Sequence, residues 1–218
     1  MTDERVLRAY SARAAEYTRA LGALEDMHEL DQRRIERWAA EVSGPVIDAG
    51  CGPGHWTDFL HQRGVDVSGV DLVPEFVELA RSRFPGVSFR VCSLRALDVP
   101  DGSVQGVLAW YSLIHQDPAE LPGVFSELAR VLGPEGHLLL GFVDGTFAEP
   151  LAHAITGAYC WSVDETSLLL KAAGFDVLDI ETRHDPGSRP HAVIAATARR
   201  LPTIAAECGP DDTGRKSR

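Results

Sequence analysis

From residue 45 onward, short apolar runs alternate along the chain with amphipathic stretches. Buried strands appear as short apolar runs, whereas helices place apolar residues three and four positions apart. On this basis the sequence predicts strands at residues 46–49, 66–71, 87–92, 104–109 and 137–142. It predicts helices between them at residues 56–63, 74–84 and 121–132. This alternation favours an α/β fold with a doubly wound, mostly parallel sheet and helices on both faces.

The two ends of the chain follow other patterns. Helical spacing predicts two helices before the sheet, at residues 3–20 and 27–42, of which the first is expected to be either continuous or broken. Toward the other end, a helix at 163–173 is followed by strands at 175–183 and 192–198. The connection between those two strands is too short for a parallel crossover, so it can join only antiparallel neighbours. We therefore expect a seven-stranded sheet that ends in an antiparallel C-terminal hairpin.

A chain of 218 residues suits one α/β domain with appendages. We expect residues 1–43 to form a helical lid and residues 44–199 to form the core domain. Residues 143–162 show no clear periodicity and are expected to form a second lid within that core. Residues 200–218 are polar and rich in Gly, Pro and Asp, which predicts a disordered tail.

Composition narrows the classes of partner. The formal net charge of -11 argues against nucleic acid, because binding a phosphate backbone generally needs a basic face. The charged start and the lack of a long apolar run predict neither export nor membrane insertion. The four cysteines are widely spaced, which fits reduced thiols in the cytoplasm better than disulfides or a metal site. A small molecule is the expected partner, and the chain is expected to be a monomer or a homodimer.

The most informative stretch is residues 46–60, VIDAGCGPGHWTDFL. An apolar run containing Asp48 gives way to three alternate glycines, Gly50, Gly52 and Gly54, just before a predicted helix. Glycine lets a ligand lie directly against the backbone and tolerates positive φ. The stretch is therefore expected to bind a ligand at the carboxyl end of the first strand.

Spacing decides between the ligands that such a loop can hold. A P-loop needs Lys and then Ser or Thr after its last glycine, and this chain has His55 and Trp56 there. A dinucleotide fingerprint needs a glycine at position 55, which makes that interpretation weak. Asp71 follows about twenty residues after the loop, where a carboxylate can accept both hydroxyls of a ribose. Alternatively, Asp71 caps the helix that follows it.

An acidic residue at a strand end, followed by glycines at every second position, resembles the first motif of class I S-adenosylmethionine (SAM) dependent methyltransferases. The resemblance extends over about residues 10–198 and implies SAM as cofactor, S-adenosylhomocysteine as product and the core domain as the SAM-binding unit. Tyr10 and Tyr17 are similar to tyrosines with which N-terminal helices of this family cover SAM, although they could equally anchor their helix. The cofactor-binding residues that the resemblance implies are Tyr10, Tyr17, Asp48, Gly50, Cys51, Gly52, Gly54, Trp56, Asp71, Leu72, Ser93, Leu94, Ala109 and Trp110.

Two segments depart from the family pattern. Ser93 stands where the family often has Asp, at the position that would contact the adenine amino group, and Leu94 would offer its backbone N–H to the ring. Gln105 and Gly106 stand where the family commonly has Phe-Asp or a similar pair. The backbone at Ala109 and Trp110 would hold the amino group of the methionine moiety.

The methyl acceptor is expected to be a small molecule. Methyl transfer mainly needs alignment and exclusion of water, and a general base is needed only when the acceptor must lose a proton. His115 lies just past the fourth strand and is the candidate base, although it could also cap a turn or fill space. The expected acceptor-site residues are Tyr111, His115, Phe147, His153, Tyr159 and Trp161. The rings after the fifth strand could instead pack their loop onto the sheet.

The predicted function is thus a SAM-dependent methyltransferase that acts on a small molecule. Two alternatives remain open at this stage. An NAD-dependent oxidoreductase would share the sheet and Asp71, and a non-catalytic SAM-binding module would keep the loop without turnover.

Overall fold

The computed structural model describes residues 3–21, 23–152 and 155–199. Within them the strands are β1 (Val46–Ala49), β2 (Val67–Asp71), β3 (Ser88–Val91), β4 (Val104–Trp110), β5 (Leu132–Val143), β6 (Pro150–Leu151), β7 (Ala158–Tyr159), β8 (Phe175–Arg183) and β9 (His191–Ala198). The helices are α1 (Asp3–Ser11), α2 (Ala14–Leu21), α3 (Glu29–Ala39), α4 (His55–His61), α5 (Pro74–Arg83), α6 (Leu121–Val131) and α7 (Val163–Ala172). A short 3-10 helix, Leu24–Asp26, precedes α3.

Seven of these strands form one sheet in the order β3-β2-β1-β4-β5-β9-β8. The first five of them in chain order pair in parallel, whereas β9 runs antiparallel to both β5 and β8. Parallel pairing brings the carboxyl ends of β1, β2 and β4 to one edge, so Asp48, Asp71 and Trp110 lie near each other there. The predicted mixed sheet with its antiparallel hairpin is confirmed.

Helices cover both faces of this sheet, as predicted. Neighbouring residues of a strand point to opposite faces, so Val46 and Ile47 belong to different buried clusters. The Ile47 cluster includes side chains of α6 and α7, and the Val46 cluster includes side chains of α3 and α4. No helix in the described ranges is long and apolar enough to cross a membrane.

Three differences from the predicted elements have local physical reasons. The helix at residues 3–20 takes its broken form, with the break after Ser11, and this lets rings from α1 and α2 pack on the same partner, Phe76. The fifth strand is longer than 137–142, because the predicted turn at residues 133–136 is a bulge in β5 with Glu135 at φ 63. The segment 143–162 contains the antiparallel pair β6 and β7, each only two residues long, which is too short to produce a sequence period.

Residues 200–218 lie outside the described residues, so the predicted tail remains a prediction.

Candidate cofactor site

The glycine loop between β1 and α4 is shaped by what each glycine faces. Gly50 has φ +80, and a Cβ there would lie 2.3 Å from Cβ of Ser112, so only glycine lets the loop approach the end of β4. Gly52 has φ +53, and a Cβ there would meet nothing within 4 Å. Gly54 packs closely against Ala80 and Phe89. The loop is thus held tightly at Gly50 and Gly54 and leaves open space at Gly52.

Asp71, at the end of β2, is tied to this loop. Its carboxylate accepts hydrogen bonds from the backbone N–H of Gly52 and of Val73, both at 2.8 Å. Burial raises the pKa of Asp71 to about 6, although these N–H donors oppose the rise. The N-cap residue of α5 is Val73 and no side chain caps that helix, so Asp71 orders the turn before α5 without being its cap. The side chain also holds the loop at Gly52 through the N–H of that residue.

Asp48, at the end of β1, is almost fully buried. Its carboxylate accepts a 2.7 Å hydrogen bond from the hydroxyl of Thr57 on α4. Burial raises the pKa of Asp48 to about 7, with a smaller contribution from the nearby charge of Asp71. The sequence analysis missed Thr57, whose signal was a hydroxyl on the otherwise apolar, buried face of α4.

Two adjoining cavities open at the carboxyl edge of the sheet. The inner cavity, of about 110 Å³, contains Gly50, Gly52 and Asp71 in its wall. Of the other predicted cofactor residues it is lined by Tyr10, Tyr17, Leu72, Ser93, Leu94 and Trp110. The main cavity, of about 340 Å³, is lined by the same two glycines and by Asp48, Cys51 and Trp56. Gly54 and Ala109 are buried and support these walls without lining either cavity.

Several polar atoms in these walls have no partner in the structure. Ser112 Oγ and Gln116 Oε1, both in the wall of the inner cavity, are buried without a hydrogen bond. Both ring nitrogens of His55, in the wall of the main cavity, are also buried without one. Buried polar groups normally find partners, so these unpaired atoms set the walls of the two cavities apart from the rest of the core.

Helix α1 forms part of the wall of the inner cavity. Tyr10 packs edge-to-face on Tyr17, Phe76 and His115, with ring centroids 5.3–5.7 Å apart. The Nδ1–H of His115 donates to the carbonyl of Gly157 at 2.8 Å, which leaves Nε2 to accept from the Tyr10 hydroxyl at 2.7 Å. Burial lowers the pKa of His115, so the ring is neutral at physiological pH. Both ring nitrogens of this predicted base are therefore engaged in hydrogen bonds.

The end of β4 forms the wall that the two cavities share. The ring of Trp110 lies over Gly141, where a Cβ would come within 2.8 Å of it. Tyr111 follows with φ 56, a conformation that is strained for a residue with a side chain. Its hydroxyl forms a hydrogen bond with Nδ1 of His191, at the start of β9. The sequence analysis missed His191, because nothing in its own neighbourhood marks it as part of a site.

The other expected acceptor residues lie elsewhere. The rings of Phe147 and Tyr159 pack on Trp161 at 5.2 and 5.8 Å, and Trp161 is buried in the main core. None of these three described residues lines the inner or the main cavity. The contacts match the alternative in which these rings pack their loop onto the sheet. His153 lies outside the described residues.

Comparison with known proteins agrees with this geometry. Residues 46–136 match the sequence family described as "Methyltransferase domain". Residues 46–136 form a methyltransferase domain. A ubiquinone biosynthesis O-methyltransferase of Xanthomonas campestris is 32% identical over 158 residues, which are 68% of this chain and 64% of that protein. A malonyl-[acyl-carrier protein] O-methyltransferase of Serratia marcescens is 28% identical over 134 residues, 62% of this chain and 51% of that protein. The methyltransferase domain and its flanking elements thus span about half the length of the first curated relatives that the chain matches.

A solved structure shows the same fold. The crystal structure of 1,6-didemethyltoxoflavin-N1-methyltransferase from Burkholderia thailandensis, with bound 1,6-didemethyltoxoflavin and S-adenosylhomocysteine, matches with a TM-score of 0.73. The two proteins are 21% identical, and the match covers 92% of each chain. The predicted resemblance of this methyltransferase domain to the class I SAM-dependent family is confirmed.

Proposed function

We propose that this protein transfers the methyl group of SAM to a small-molecule acceptor. The observation that carries the proposal is the pair of adjoining cavities at the glycine loop, where Asp48, Asp71 and the open side of Gly52 converge. The family match of residues 46–136 supports it. The two curated relatives described above are named O-methyltransferases, which favours an oxygen acceptor.

The residues present fit SAM. The second lone pairs of the Asp71 carboxylate would accept the ribose hydroxyls, since one lone pair of each oxygen already accepts a backbone N–H. Leu72 and Leu94 would hold the adenine between apolar walls in the inner cavity. Asp48, in the wall of the main cavity, would attract the cationic methionine end. Gly52 would let the ligand lie directly on the backbone.

Bound SAM would supply a methyl carbon that is already activated by its positively charged sulfur. The protein then has to align an acceptor with that carbon and exclude water. Helices α1 and α2 suit the second task, because the rings of Tyr10 and Tyr17 close the inner cavity. Oxygen, nitrogen and carbon acceptors are all compatible with this arrangement.

The cellular setting belongs to the same proposal. Cys51, Cys92 and Cys160 are free thiols in the structure, which supports action in a reducing compartment such as the cytoplasm. We propose a monomer or a homodimer that needs neither nucleic acid nor a membrane. Size-exclusion chromatography with light scattering would decide between the two oligomeric states.

A matched pair of glycine variants tests the cofactor site. Gly52 and Gly64 both have positive φ, and a Cβ at either would meet nothing within 4 Å. Gly52→Ala and Gly64→Ala should therefore cost similar stability, about 1 kcal/mol each. Only Gly52→Ala adds a methyl group inside the cavities, so it alone should weaken S-adenosylhomocysteine binding, by at least about tenfold, in isothermal titration.

The same titration separates the alternatives. Binding of NADH in place of S-adenosylhomocysteine would revive the oxidoreductase. Binding of S-adenosylhomocysteine without its release from SAM, across a panel of phenols, acids and amines, would indicate a non-catalytic module. Equal effects of the two glycine variants on binding would show that the ligand does not lie against Gly52.

A further inference from the structure

A third pocket lies next to the main cavity, beside β9. This outer pocket, of about 350 Å³, is lined by residues that include Tyr111, Val143, Arg189 and His191. The first three also line the main cavity, so the two spaces adjoin each other. Tyr111 lines the inner cavity as well. It therefore stands where a cofactor in the inner and main cavities would meet a molecule that enters through the outer pocket.

Behind Tyr111 lies a row of polar side chains drawn from three elements, β9, α3 and β8. The Tyr111 hydroxyl forms a hydrogen bond with Nδ1 of His191, and Nε2 of that ring lies 3.9 Å from Oδ1 of Asp31. Asp31 in turn accepts a 2.7 Å hydrogen bond from Arg183. Both Asp31 and His191 are more than nine-tenths buried. If Asp31 and His191 served only to fill space, apolar side chains would do so at a lower free-energy cost, because buried polar groups must be removed from water.

One tautomer of neutral His191 would let a proton move along this row. In that tautomer the proton is on Nε2, which faces the Asp31 carboxylate at 3.9 Å, beyond hydrogen-bond distance. Nδ1 then holds the lone pair and accepts from the hydroxyl of Tyr111. This arrangement lets a proton pass from Tyr111 to His191, where Asp31 faces the imidazolium that results.

Charges from each side face His191. Asp31 comes from α3, Glu181 and Arg183 come from β8, and Asp185 follows β8. Burial lowers the pKa of His191, and the three carboxylates raise it while Arg183 lowers it. Nδ1 of His115, by contrast, donates to the carbonyl of Gly157, which carries no formal charge.

We propose that Tyr111, supported by His191 and Asp31, takes the proton from a hydroxyl acceptor bound in the outer pocket. This inference rests on the proposed methyltransferase function and names its acceptor class as a phenol or alcohol. The acceptor oxygen forms its bond to the methyl carbon while the carbon–sulfur bond breaks and its electron pair stays on sulfur. The acceptor proton passes to the Tyr111 oxygen, the phenolic proton of Tyr111 passes to Nδ1 of His191, and solvent later removes it. Tyr111 is the catalytic residue, and His191 and Asp31 are positioning residues.

Acceptor acidity provides the decisive test. para-Cresol must lose its proton during transfer, whereas para-nitrophenol is already ionised in mildly alkaline buffer. Tyr111→Phe, His191→Asn and Asp31→Asn should each lower kcat/KM for para-cresol, by about 100-fold for Tyr111→Phe. The same variants should retain most of the activity toward para-nitrophenol. Equal losses for both phenols would overturn the relay, as would methylation of amines alone.

Two further variants separate the relay from its alternatives. Arg37→Gln removes another contact between α3 and β8, the ion pair with Glu181, and leaves Tyr111, His191 and Asp31 in place. It should leave the ratio of the two phenols unchanged, and a ratio changed as in Asp31→Asn would reduce Asp31 to an anchor of α3. If His115→Asn and not Tyr111→Phe shows the selective loss with para-cresol, His115 is the base and the proposal fails.

A readout without turnover completes the test. Long-range nitrogen–proton NMR of the intact protein should show His191 with its proton on Nε2, and Asp31→Asn should lower its pKa. A proton on Nδ1 would overturn the relay whether or not a phenol is methylated. S-adenosylhomocysteine titrations on the same samples distinguish failure of the relay from failure of the proposed function. If the unaltered protein does not bind S-adenosylhomocysteine, the proposed function is refuted. If it binds and His191 carries its proton on Nδ1, only the relay is refuted.

Discussion

At the scale of single residues, the site keeps two carboxylates in places that do not favour their charge. Burial raises the pKa of Asp48 from its ordinary value of 3.8 to about 7. Between these values the folded protein holds a proton that the unfolded chain has released. The free energy of unfolding therefore falls as pH rises through this window. Above about pH 7 the whole loss of stability caused by burying the ionised carboxylate is present.

Asp48→Asn should remove that cost while keeping an oxygen that can accept from Thr57. We expect the variant to be more stable than the unaltered protein by about 2 kcal/mol near pH 8 and to lose this advantage as pH falls toward 5. Urea denaturation at both pH values measures the difference. Asp66→Asn, at an exposed position, is the control and should change little. A variant that is less stable at alkaline pH would show that the charge of Asp48 contributes stability.

The residue scale also shows which parts of the site can be found from sequence. Asp48 and the glycines lie within seven positions of one another, so their spacing alone locates the loop. Asp71 is recognisable because it ends the next strand along the chain. His191 and Asp31 meet only after the chain has folded, and neither is marked by its neighbours in sequence. Their contact depends on side-chain packing between α3 and β9, which a pattern of polar and apolar positions does not specify.

At the scale of elements, α1 is held onto the sheet by a few polar contacts. Asp3 accepts from Ser93 at 2.6 Å and pairs with Arg95 at 3.0 Å. Further along the helix, Tyr10 donates to His115 at 2.7 Å. Ser93, where the family often has Asp, thus binds α1 in this structure.

Tyr10→Phe should weaken the attachment of α1 without disturbing the sheet. Losing one buried hydrogen bond costs about 1 kcal/mol, so amide hydrogens of α1 should exchange several-fold faster. S-adenosylhomocysteine should dissociate correspondingly faster, and stopped-flow measurements would detect this. Ser11→Ala removes the exposed contact of the same helix with Glu75 and should have a much smaller effect. Unchanged exchange in Tyr10→Phe would mean that α1 is held by its apolar face.

Element boundaries were predictable where the chain gives a strong local stop. β1 and β8 begin and end at the predicted residues, since Gly50 follows β1 and Gly174 precedes β8. The prediction was wrong at β5, because Gly-Pro-Glu-Gly at residues 133–136 is typical of a turn. Here the segment stays in the strand as a bulge, and pairing with β4 resumes at His137. Tertiary pairing overrides the local turn preference.

At the scale of the whole molecule, the proposed ligand would join parts that are distant in sequence. The two cavities are walled by α1 and α2, the glycine loop, and the ends of β2 and β4. Such a site exists only in the folded state, so a ligand bound there stabilises the entire domain by mass action. The sequence could predict which strand ends meet, because parallel pairing fixes that edge. It left open whether the rings after β5 line the acceptor site or pack their loop onto the sheet, and in the structure Phe147 and Tyr159 pack on the buried Trp161.

Thermal unfolding measures how much a bound ligand stabilises the domain. S-adenosylhomocysteine at 100 times its Kd should stabilise the protein by about 2.7 kcal/mol. For a domain of this size, each kcal/mol raises Tm by about 2–4 °C, so a shift of about 5–10 °C is expected. The shift should persist in Gly64→Ala and shrink in Gly52→Ala, because only the second variant narrows the cavities. NADH should give no shift at the same concentration. Selectivity for SAM has to come from the methionine end near Asp48. An equal Tm shift with both ligands would therefore show that the glycine loop accepts nucleosides in general.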